Sequence, residues 1–201
     1  MTAIDAVHPI EAESYRILEA RVDLGRFAPG SAAVVARVIH ASADLEYAQT
    51  MVVDDDAVDA GIEALRAGAP VICDVEMVRH GLARMHAECY LVDAEPEHRG
   101  LTRSAAGMRV AAERHPAGAI FVVGCAPTAL VEVVRLAAEG ALTPALVIGL
   151  PVGFVGAAES KQALRDSGLP AISNIGEKGG SAVAAAALNA LMRMAVADGD
   201  G

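Results

Sequence analysis

The sequence predicts an α/β protein, a three-layer sandwich whose mainly parallel sheet is preceded by N-terminal helices. From Pro70 onward, short apolar runs alternate with helix-like segments, which is the pattern of strands joined by helical crossovers. Several of these runs are apolar throughout, as expected when helices cover both faces of a sheet. With 54% hydrophobic residues among 201, the chain has enough apolar side chains for one large core.

The first third of the chain is predicted to be helical. Apolar residues at nearly helical spacing indicate a first helix within residues 10–22. Pro29 precedes a second apolar-periodic segment that continues to about Leu45. Three consecutive aspartates at 54–56 begin a third helix, since acidic side chains are favoured at the positive end of a helix dipole, and Gly68 ends it.

The rest of the chain is predicted to alternate between strands and helices. The predicted strands cover residues 71–74, 89–92, 119–124, 146–150 and 171–174. The predicted helices cover about 75–85, 102–115, 128–140, 159–167 and 181–196. Five strands in this alternation favour a five-stranded, flavodoxin-like sheet with the strand order 2-1-3-4-5.

That strand order also predicts where a ligand binds. In open α/β sheets, ligands bind at the carboxyl ends of the strands, where the strand order reverses. Here the order reverses between the first and third strands, whose carboxyl ends are residues 73–77 and 124–128. We therefore expect the crevice beside these segments, which include Pro127 and Thr128, with the loop at 151–161 on the same edge.

The chain is predicted to form one domain over residues 1–201. No repeat, linker or low-complexity segment divides it. Residues 1–68 are expected to be its helical N-terminal part, residues 69–197 its α/β part, and residues 198–201 a frayed tail.

Composition and charge argue against several classes of partner. A formal net charge of −10 disfavours a nucleic acid or a membrane surface, and a polyanionic ligand would need local cations. The three cysteines have no metal-ligand spacing, which indicates reduced thiols in a cytoplasmic protein. The N-terminus is unlike a signal peptide, and no uncharged apolar stretch reaches the ~20 residues of a membrane span. We expect a cytoplasmic protein without a membrane partner.

The loop from Pro151 to Lys161 is the most informative segment, because a predicted strand gives way to a predicted helix there. Gly153 and Gly156 flank Phe154, one of only three phenylalanines, and small residues let the backbone approach a ligand closely. Lys161 is one of only two lysines, so the segment also carries a scarce cation. We expect this loop to form part of a ligand-binding edge.

His40 is the candidate general acid. It lies near the predicted end of the second helix, three residues after Arg37, so the two side chains share a helix face. The helix dipole favours a cation at that end, which suits a histidine that donates a proton near neutral pH. The alternative is an ordinary surface or core histidine. Ser14, on the first helix, is by itself an ordinary polar position.

Two predicted helix starts are candidate anion sites. Thr102, Arg103 and Ser104 open a helix after a glycine, where free backbone N–H groups can receive a carboxylate; a plain N-cap is the equal alternative. Lys178 lies in a glycine-rich turn before the last helix, although the spacing is not that of a P-loop.

Neither a metal site nor a serine-hydrolase triad is predicted. Glu76 and His80 are four residues apart on one predicted helix, but no third ligand accompanies them. The Gly-x-Ser-x-Gly motif of serine hydrolases is absent. We therefore expect no metal and no cofactor.

Several separated blocks resemble, in the same order, the precorrin-8X methylmutase family of cobalamin biosynthesis, which includes the cobalt-precorrin-8 methylmutases. The resemblance covers about residues 8–195 and rests on the combination of blocks. The blocks are Ser14-Tyr-Arg-Ile, Arg37-Val-Ile-His40, residues 68–77, Thr102-Arg-Ser-Ala-Ala106, Ala126-Pro-Thr-Ala-Leu130, Pro151 through Lys161, and Lys178-Gly-Gly-Ser181.

The resemblance implies a homodimeric isomerase that moves the methyl group on C-11 of precorrin-8X to C-12 and gives hydrogenobyrinate. It implies that His40 is the catalytic histidine and that Ser14, Arg37 and Arg103 contact the substrate. Protonation of a nearby ring nitrogen by His40 would assist a [1,5]-sigmatropic shift, which needs no redox cofactor. A further expectation is that the product stays tightly bound until the next enzyme takes it.

The chain departs from the family pattern at two positions. Cys125 stands where the family usually has Asn, so a hydrogen bond from that Asn to the substrate would need another donor. Glu177 stands where Arg is frequent, which leaves Lys178 as the cation of that turn.

Two alternatives to this activity remain open from the sequence. In the first alternative, the substrate is cobalt-precorrin-8 and the product is cobyrinate. In the second, the protein is a corrinoid-binding carrier without catalysis. A nucleotide-binding α/β protein is disfavoured, since neither glycine-rich phosphate motif is present.

Overall fold

A computed structural model of the protein describes residues 8–83, 85–93 and 100–197. Within those residues, one sheet contains five strands: β1 (Met51–Val53), β2 (Val71–Cys73), β3 (Ile120–Val123), β4 (Leu146–Gly149) and β5 (Ala171–Asn174). Their spatial order is β1-β5-β4-β3-β2. Strands β2 to β5 are parallel, and β1 runs antiparallel to β5 with Met51 opposite Asn174. The start of β1 therefore lies at the carboxyl edge of the parallel strands.

Helices cover both faces of the sheet. They are α1 (Pro9–Glu19), α2 (Pro29–Ser42), α3 (Tyr47–Thr50), α4 (Asp55–Arg66), α5 (Glu76–Gly81), α6 (Arg103–Arg114), α7 (Pro127–Ala138), α8 (Ala157–Asp166) and α9 (Ser181–Ala197). Helices α2, α4, α5 and α9 pack on one face, with α1 against α2, and α6, α7 and α8 form the other layer. In β3, Ile120 and Val122 belong to the first core, and Phe121 and Val123 belong to the second. This alternation explains why β3 is apolar throughout.

Local residues explain where several helices begin and end. Proline occupies the first turn of α1, α2 and α7, where a missing N–H group is tolerated. Gly68 follows α4 with a φ of +73°, a left-handed conformation that glycine adopts without steric cost. Helix α2 ends because Ala43 adopts the same conformation, with a φ of 54°. His40 consequently lies in the last turn of α2.

The predicted fold class is confirmed. The four strands predicted at 71–74, 119–124, 146–150 and 171–174 are neighbours in that order and form the parallel part of the sheet. The predicted helices are also present, although α5 ends at Gly81 rather than near residue 85. The predicted frayed tail, residues 198–201, lies outside the described residues. Of the helices in the described part of the chain, none has the length and apolarity needed to cross a membrane.

Two predictions about the strands were wrong. Residues 89–92 do not form a strand, because the chain turns after Tyr90 and meets the sheet only at a bridge between Glu88 and Ile72. That bridge still lies beside β2, where the flavodoxin-like order places its second strand. The fifth strand is instead β1, within the third of the chain that was expected to be helical. Three residues are too few to show a strand pattern, so pairing with β5 decides their conformation.

Candidate active site

The carboxyl edge of the parallel strands brings most of the predicted site residues to one side of the molecule. A helix that crosses over between parallel strands runs back against them, so α6, α7, α8 and α9 begin at this edge. Helix α2 reaches it with its carboxyl end, because the chain continues through α3 into β1. The predicted residues at or next to these helix ends are His40, Thr102, Arg103, Ser104, Pro127, Thr128, Gly153, Phe154 and Lys178.

His40 contacts two residues of α1. Its Nδ1 atom lies 2.9 Å from the hydroxyl oxygen of Ser14. Its ring stacks on the ring of Tyr15, with the centroids 4.9 Å apart and 9° between the planes. The side chain is half-buried, and Nε2 has no hydrogen-bond partner among the described residues. The imidazole is therefore held at one nitrogen and one face, while its other nitrogen remains able to meet a ligand.

A carboxylate near His40 bridges two arginines. Glu11 Oε1 accepts a hydrogen bond from Arg37 Nη1 (2.9 Å) and forms an ion pair with Arg193 Nη1 (3.0 Å), which joins α1 to α2 and α9. The hydrogen bond from Arg193, together with the nearby positive charges, holds the pKa of Glu11 below its usual range. The Nε atom of Arg37 is enclosed and has no acceptor among the described residues. Glu11 thus orients Arg37 and leaves one of its donors unmatched.

Two threonine hydroxyls join the starts of α6 and α7. Thr102 caps α6 by accepting a hydrogen bond from the N–H of Ala105 (3.3 Å). The same hydroxyl lies 2.7 Å from that of Thr128, next to Pro127 at the first position of α7. The amino-terminal ends of two helices therefore lie side by side.

Arg103 and Ser104 complete this corner of the edge. Arg103 is exposed, and its guanidinium makes one long contact, 3.5 Å, with the carbonyl oxygen of Leu91. Ser104 is half-buried in the first turn of α6. The corner offers a guanidinium and two helix amino termini, all of which attract an anion.

Asp74 fixes the turn that leads into α7. Its carboxylate is buried directly after β2 and accepts the backbone N–H groups of Gly124 (3.1 Å), Cys125 (2.9 Å) and Ala126 (2.8 Å). Burial raises the pKa of Asp74, and the three N–H donors oppose that shift without cancelling it. One side chain thus ties together the two strand ends at the predicted reversal of strand order.

The loops that follow β4 and β5 are hydrogen-bonded to each other. The N–H of Gly153 donates to the carbonyl of Glu177 (3.1 Å), and the N–H of Gly180 donates to the carbonyl of Leu150 (2.8 Å). Gly179 is required between them, because a Cβ atom there would collide with carbonyl oxygens of the β4 loop. The two loops therefore form one continuous piece of the edge.

Phe154 projects from this piece into solvent. Its side chain is 92% exposed, and that of Val155 beside it is 88% exposed. Exposed large apolar neighbours frequently mark a surface that another molecule covers. The predicted contact of Gly153 and Phe154 with a ligand stays a prediction, supported by this exposure.

The expected role of Lys161 as a cation for a ligand was wrong. Lys161 lies in α8 with its side chain fully buried, 0% exposed, so its ammonium cannot reach a ligand at the edge. Burial lowers the pKa of Lys161 to about 8. Lys178 is exposed, but Asp44 (2.6 Å) and Glu46 (2.8 Å) already bind its ammonium. An anion site at Lys178 stays a prediction.

The structure arranges the predicted residues in three groups at this edge. The first contains Ser14, Arg37 and His40, the second contains residues 102–104 with Pro127 and Thr128, and the third contains Gly153, Phe154 and Lys178. No hydrogen bond between described residues links the first group to the second directly. Within the same described ranges, no cluster of three or more histidine, cysteine, aspartate or glutamate side chains is placed to hold a metal ion.

Three residues of the site were missed by the sequence interpretation. Tyr15 follows Ser14 directly, but sequence proximity does not show which ring faces His40. Asp74 did leave a signal, as a single acid after an apolar strand at the predicted reversal of strand order. Glu11 left none, because its arginine partners come from helices distant in the sequence.

The chain matches known proteins over nearly its whole length. The model of the family described as precorrin-8X methylmutase matches residues 9–194. The chain belongs to the precorrin-8X methylmutase family. It is accordingly an isomerase, an intramolecular methylmutase of cobalamin biosynthesis.

Relatives of this methylmutase carry two names. The cobalt-precorrin-8 methylmutase of Priestia megaterium is 43% identical over 197 residues, which cover 92% of this chain and 87% of the relative. The precorrin-8X methylmutase of Sinorhizobium sp is 42% identical over 196 residues, which cover 92% and 93%. A solved structure of precorrin-8x methyl mutase from Thermus thermophilus is 39% identical, with a TM-score of 0.85, and covers 94% of this chain and 97% of that one. The methylmutase fold thus spans the described layers and strands.

Proposed function

We propose that the protein moves the methyl group on C-11 of precorrin-8X to C-12, giving hydrogenobyrinate, with His40 as the proton donor. The observation that carries this proposal is the arrangement of Ser14, Tyr15 and His40. Ser14 occupies Nδ1, Tyr15 covers one ring face, and Nε2 has no partner among the described residues. A histidine held in this way can deliver a proton from one defined atom.

The proton transfer follows from the hydrogen bond to Ser14. In the imidazolium form, Nδ1–H donates to the Ser14 hydroxyl and Nε2–H faces the substrate. Loss of the Nε2 proton leaves the Nδ1–H bond in place, so Nε2 stays the atom that gives and later recovers the proton. Transfer to a ring nitrogen makes the conjugated system electron-poor and eases the [1,5]-shift. A positioned acid of this kind contributes about 10²–10⁴ in rate.

The electrons and protons balance in this step. The methyl group moves to C-12 with the electron pair of its bond to C-11, and the π electrons of the ring rearrange to match. The ring nitrogen then returns its proton to Nε2 of His40. Nothing is oxidised or reduced, so the proposed reaction uses no redox cofactor.

Three neighbouring groups define the electrostatic surroundings of His40. It lies at the carboxyl end of α2, where the helix dipole stabilises a cation. The stacked ring of Tyr15 also attracts a positive charge through its π face. The carboxylate of Glu11 adds a negative charge nearby, and the two groups interact electrostatically.

We propose that the second group of residues holds carboxylates of the macrocycle. The net charge of −10 repels a polyanionic substrate, so binding depends on local donors. Arg103 is exposed and weakly engaged, and it lies beside the joined starts of α6 and α7 at Thr102 and Thr128. Arg37 would add a donor near His40. Each charge-assisted hydrogen bond contributes about 1.5–3 kcal/mol, so a few of them suffice for firm binding.

The substrate assay compares the two substrates that appear in the names of the relatives. The protein is incubated separately with precorrin-8X and with cobalt-precorrin-8, and absorption spectra are followed for the orange-to-pink change of the new chromophore. We expect conversion of precorrin-8X. If only cobalt-precorrin-8 were converted, the proposed reaction would be the formation of cobyrinate.

A carrier without catalysis gives a different result in the same assay. It would bind hydrogenobyrinate stoichiometrically and leave the spectrum of precorrin-8X unchanged over time. That outcome would overturn the proposed function while keeping the corrinoid site.

We also propose that the protein is a cytoplasmic homodimer that keeps its product bound until the next enzyme takes it. Light scattering of the purified protein tests the dimer, and a monomer would contradict it. Release of pre-bound hydrogenobyrinate, followed with and without an acceptor protein, tests the hand-over. Fast release in the absence of an acceptor would contradict it.

A further inference from the structure

Lys161 is the one fully buried cation among the described residues, and it holds the loop after β5. Its ammonium donates to Oδ1 of Asn174 (3.0 Å) and to the carbonyl of Lys178 (2.6 Å). A buried charge is costly unless hydrogen bonds replace its water. The buried ammonium of Lys161 therefore indicates that the loop after β5 needs a hydrogen-bond donor there.

Asn174 works with Lys161 on the same loop. Its Nδ2 donates to the carbonyls of Lys178 (2.9 Å) and Ile175 (3.2 Å), and the side chain is fully buried. One turn further along α8, Arg165 donates to the carbonyl of Asn174 (2.7 Å). Side chains from α8 and β5 thus satisfy three carbonyls between residues 174 and 178.

From this loop, contacts continue to the end of the helix that carries His40. The ammonium of Lys178 binds Asp44 and Glu46, which lie in the segment directly after α2. The N–H of Ile175 also donates to the carbonyl of Thr50 (2.8 Å), just before β1. In the other direction, the N–H groups of residues 153 and 180 join the same loop to the β4 loop with Phe154.

We propose that Lys161 is a positioning residue that, with Asn174, sets the His40 end of α2 against the Phe154 loop. It acts through the main chain of Lys178 and touches no substrate. An apolar side chain at position 161 would fill the same space but leave Oδ1 of Asn174 without its donor, and the loop would lose a fixed point. The inference rests on the proposed role of His40, because only then does the position of that helix end affect the rate.

The test uses four versions of the full-length protein beside the wild type. Lys161→Met removes the buried donor. Asp44→Asn with Glu46→Gln removes the ion pairs to Lys178, and a third variant combines all three changes. Glu159→Met is the matched control, since it replaces an exposed charged residue of the same helix.

The first readout is amide hydrogen exchange of Gly153 and Gly180 without any ligand, because these N–H groups donate between the two loops. Lys161→Met is expected to speed their exchange about tenfold or more relative to amides of α7. Glu159→Met is expected to leave it unchanged. If Lys161→Met does not fold, Lys161→Gln takes its place, with a smaller increase expected because its amide keeps an N–H donor. Unchanged exchange in the folded variant would overturn the positioning role.

The second readout is kcat with precorrin-8X. If Lys161 acts through the loop, the losses from Lys161→Met and from the acidic pair do not multiply, and the combined variant is no slower than the slower parent. Losses that multiply would show that Lys161 acts only on core packing, and would overturn the inference. If the wild type converts neither precorrin-8X nor cobalt-precorrin-8, the proposed function fails instead, while the exchange measurement still reports on the loop.

Discussion

The two halves of the carboxyl edge are held by buried charges of opposite sign, in different ways. At the β2–β3 end, the carboxylate of Asp74 accepts three backbone N–H groups from one turn. At the β4–β5 end, the ammonium of Lys161 binds Asn174 and the main chain of the following loop, and exposed ion pairs continue to α2. The first arrangement fixes one turn at one point, whereas the second spreads over four segments of the chain.

This difference suggests separate tasks for the two halves. Removing Asp74 would leave three N–H groups without their acceptor at the same time. We therefore expect substitutions in the β2–β3 half to lower the stability of the whole protein. The contacts of Lys161, Lys178 and Glu11 are spread over several segments of the chain, and those of Lys178 and Glu11 reach α2, which carries His40, or the segment directly after it. Substitutions there should alter activity at a smaller cost in stability.

The largest expected effect is that of Asp74→Ala. It removes the acceptor of the N–H groups of residues 124–126, of which Gly124 is buried, and the buried carboxylate that holds this turn, so we expect the free energy of unfolding to fall by about 3–5 kcal/mol. Urea unfolding followed by circular dichroism measures it. The control is Asp59→Ala, an exposed aspartate of α4, for which the change should stay within about 0.5 kcal/mol. If Asp74→Ala lowered the free energy of unfolding no more than Asp59→Ala, Asp74 would not hold the β2–β3 half.

A pH titration of stability tests Lys161. Burial lowers the pKa of Lys161 to about 8 from its ordinary 10.5. Between these values the unfolded chain binds a proton that the folded protein has lost, so this residue makes the free energy of unfolding rise with pH. Below about pH 8 both states hold the proton, and its contribution is constant.

The measurement is the difference in unfolding free energy between wild type and Lys161→Met across that pH window. Because other groups titrate in both proteins, the difference isolates Lys161. Between pH 8 and 10.5, we expect the free energy of unfolding of the wild type to rise by up to about 3 kcal/mol relative to that of Lys161→Met. A difference that does not change with pH would mean that the ammonium is solvated and not buried.

A smaller effect is expected at Glu11, which links α1 to α2 and α9 near His40. Glu11→Gln removes the charge that Arg37 and Arg193 share, and should lower the free energy of unfolding by about 1 kcal/mol. Glu13→Gln is the matched control, because Glu13 lies on the same helix and pairs with exposed Arg16. Chemical unfolding of both variants measures the two changes in the free energy of unfolding. Equal effects would show that Glu11 acts as an ordinary surface ion pair.

Much of the fold could be predicted from the sequence because both faces of the parallel strands are buried. Continuous apolar runs such as residues 120–123 stand out between helical segments, and turns such as Gly68 mark the ends. The edges of the sheet could not be predicted in the same way. Strand β1 depends on pairing with β5, and residues 89–92 have strand-like composition but turn away after a single bridge.

The site shows the same limit. The helix-end position of His40 and the helix starts at Thr102 and Thr128 follow from local sequence. The partner of a side chain across the fold does not, so neither the stacking of Tyr15 nor the burial of Lys161 was predicted. Lys161 shows the reason most clearly, since a scarce lysine at the end of a glycine-bearing loop suggested a ligand, whereas the turn of α8 directs its side chain into the core.

His40 is proposed to supply the proton for the methyl shift, and one comparison of rates tests this role. His40→Asn and His86→Asn, the latter changing an exposed histidine, are compared with wild type in single-turnover conversion of precorrin-8X. We expect His40→Asn to lower the rate by about 10²–10⁴ while it still binds hydrogenobyrinate. We expect His86→Asn to match wild type. A His40→Asn protein that converts precorrin-8X at the wild-type rate would rule out His40 as the proton donor.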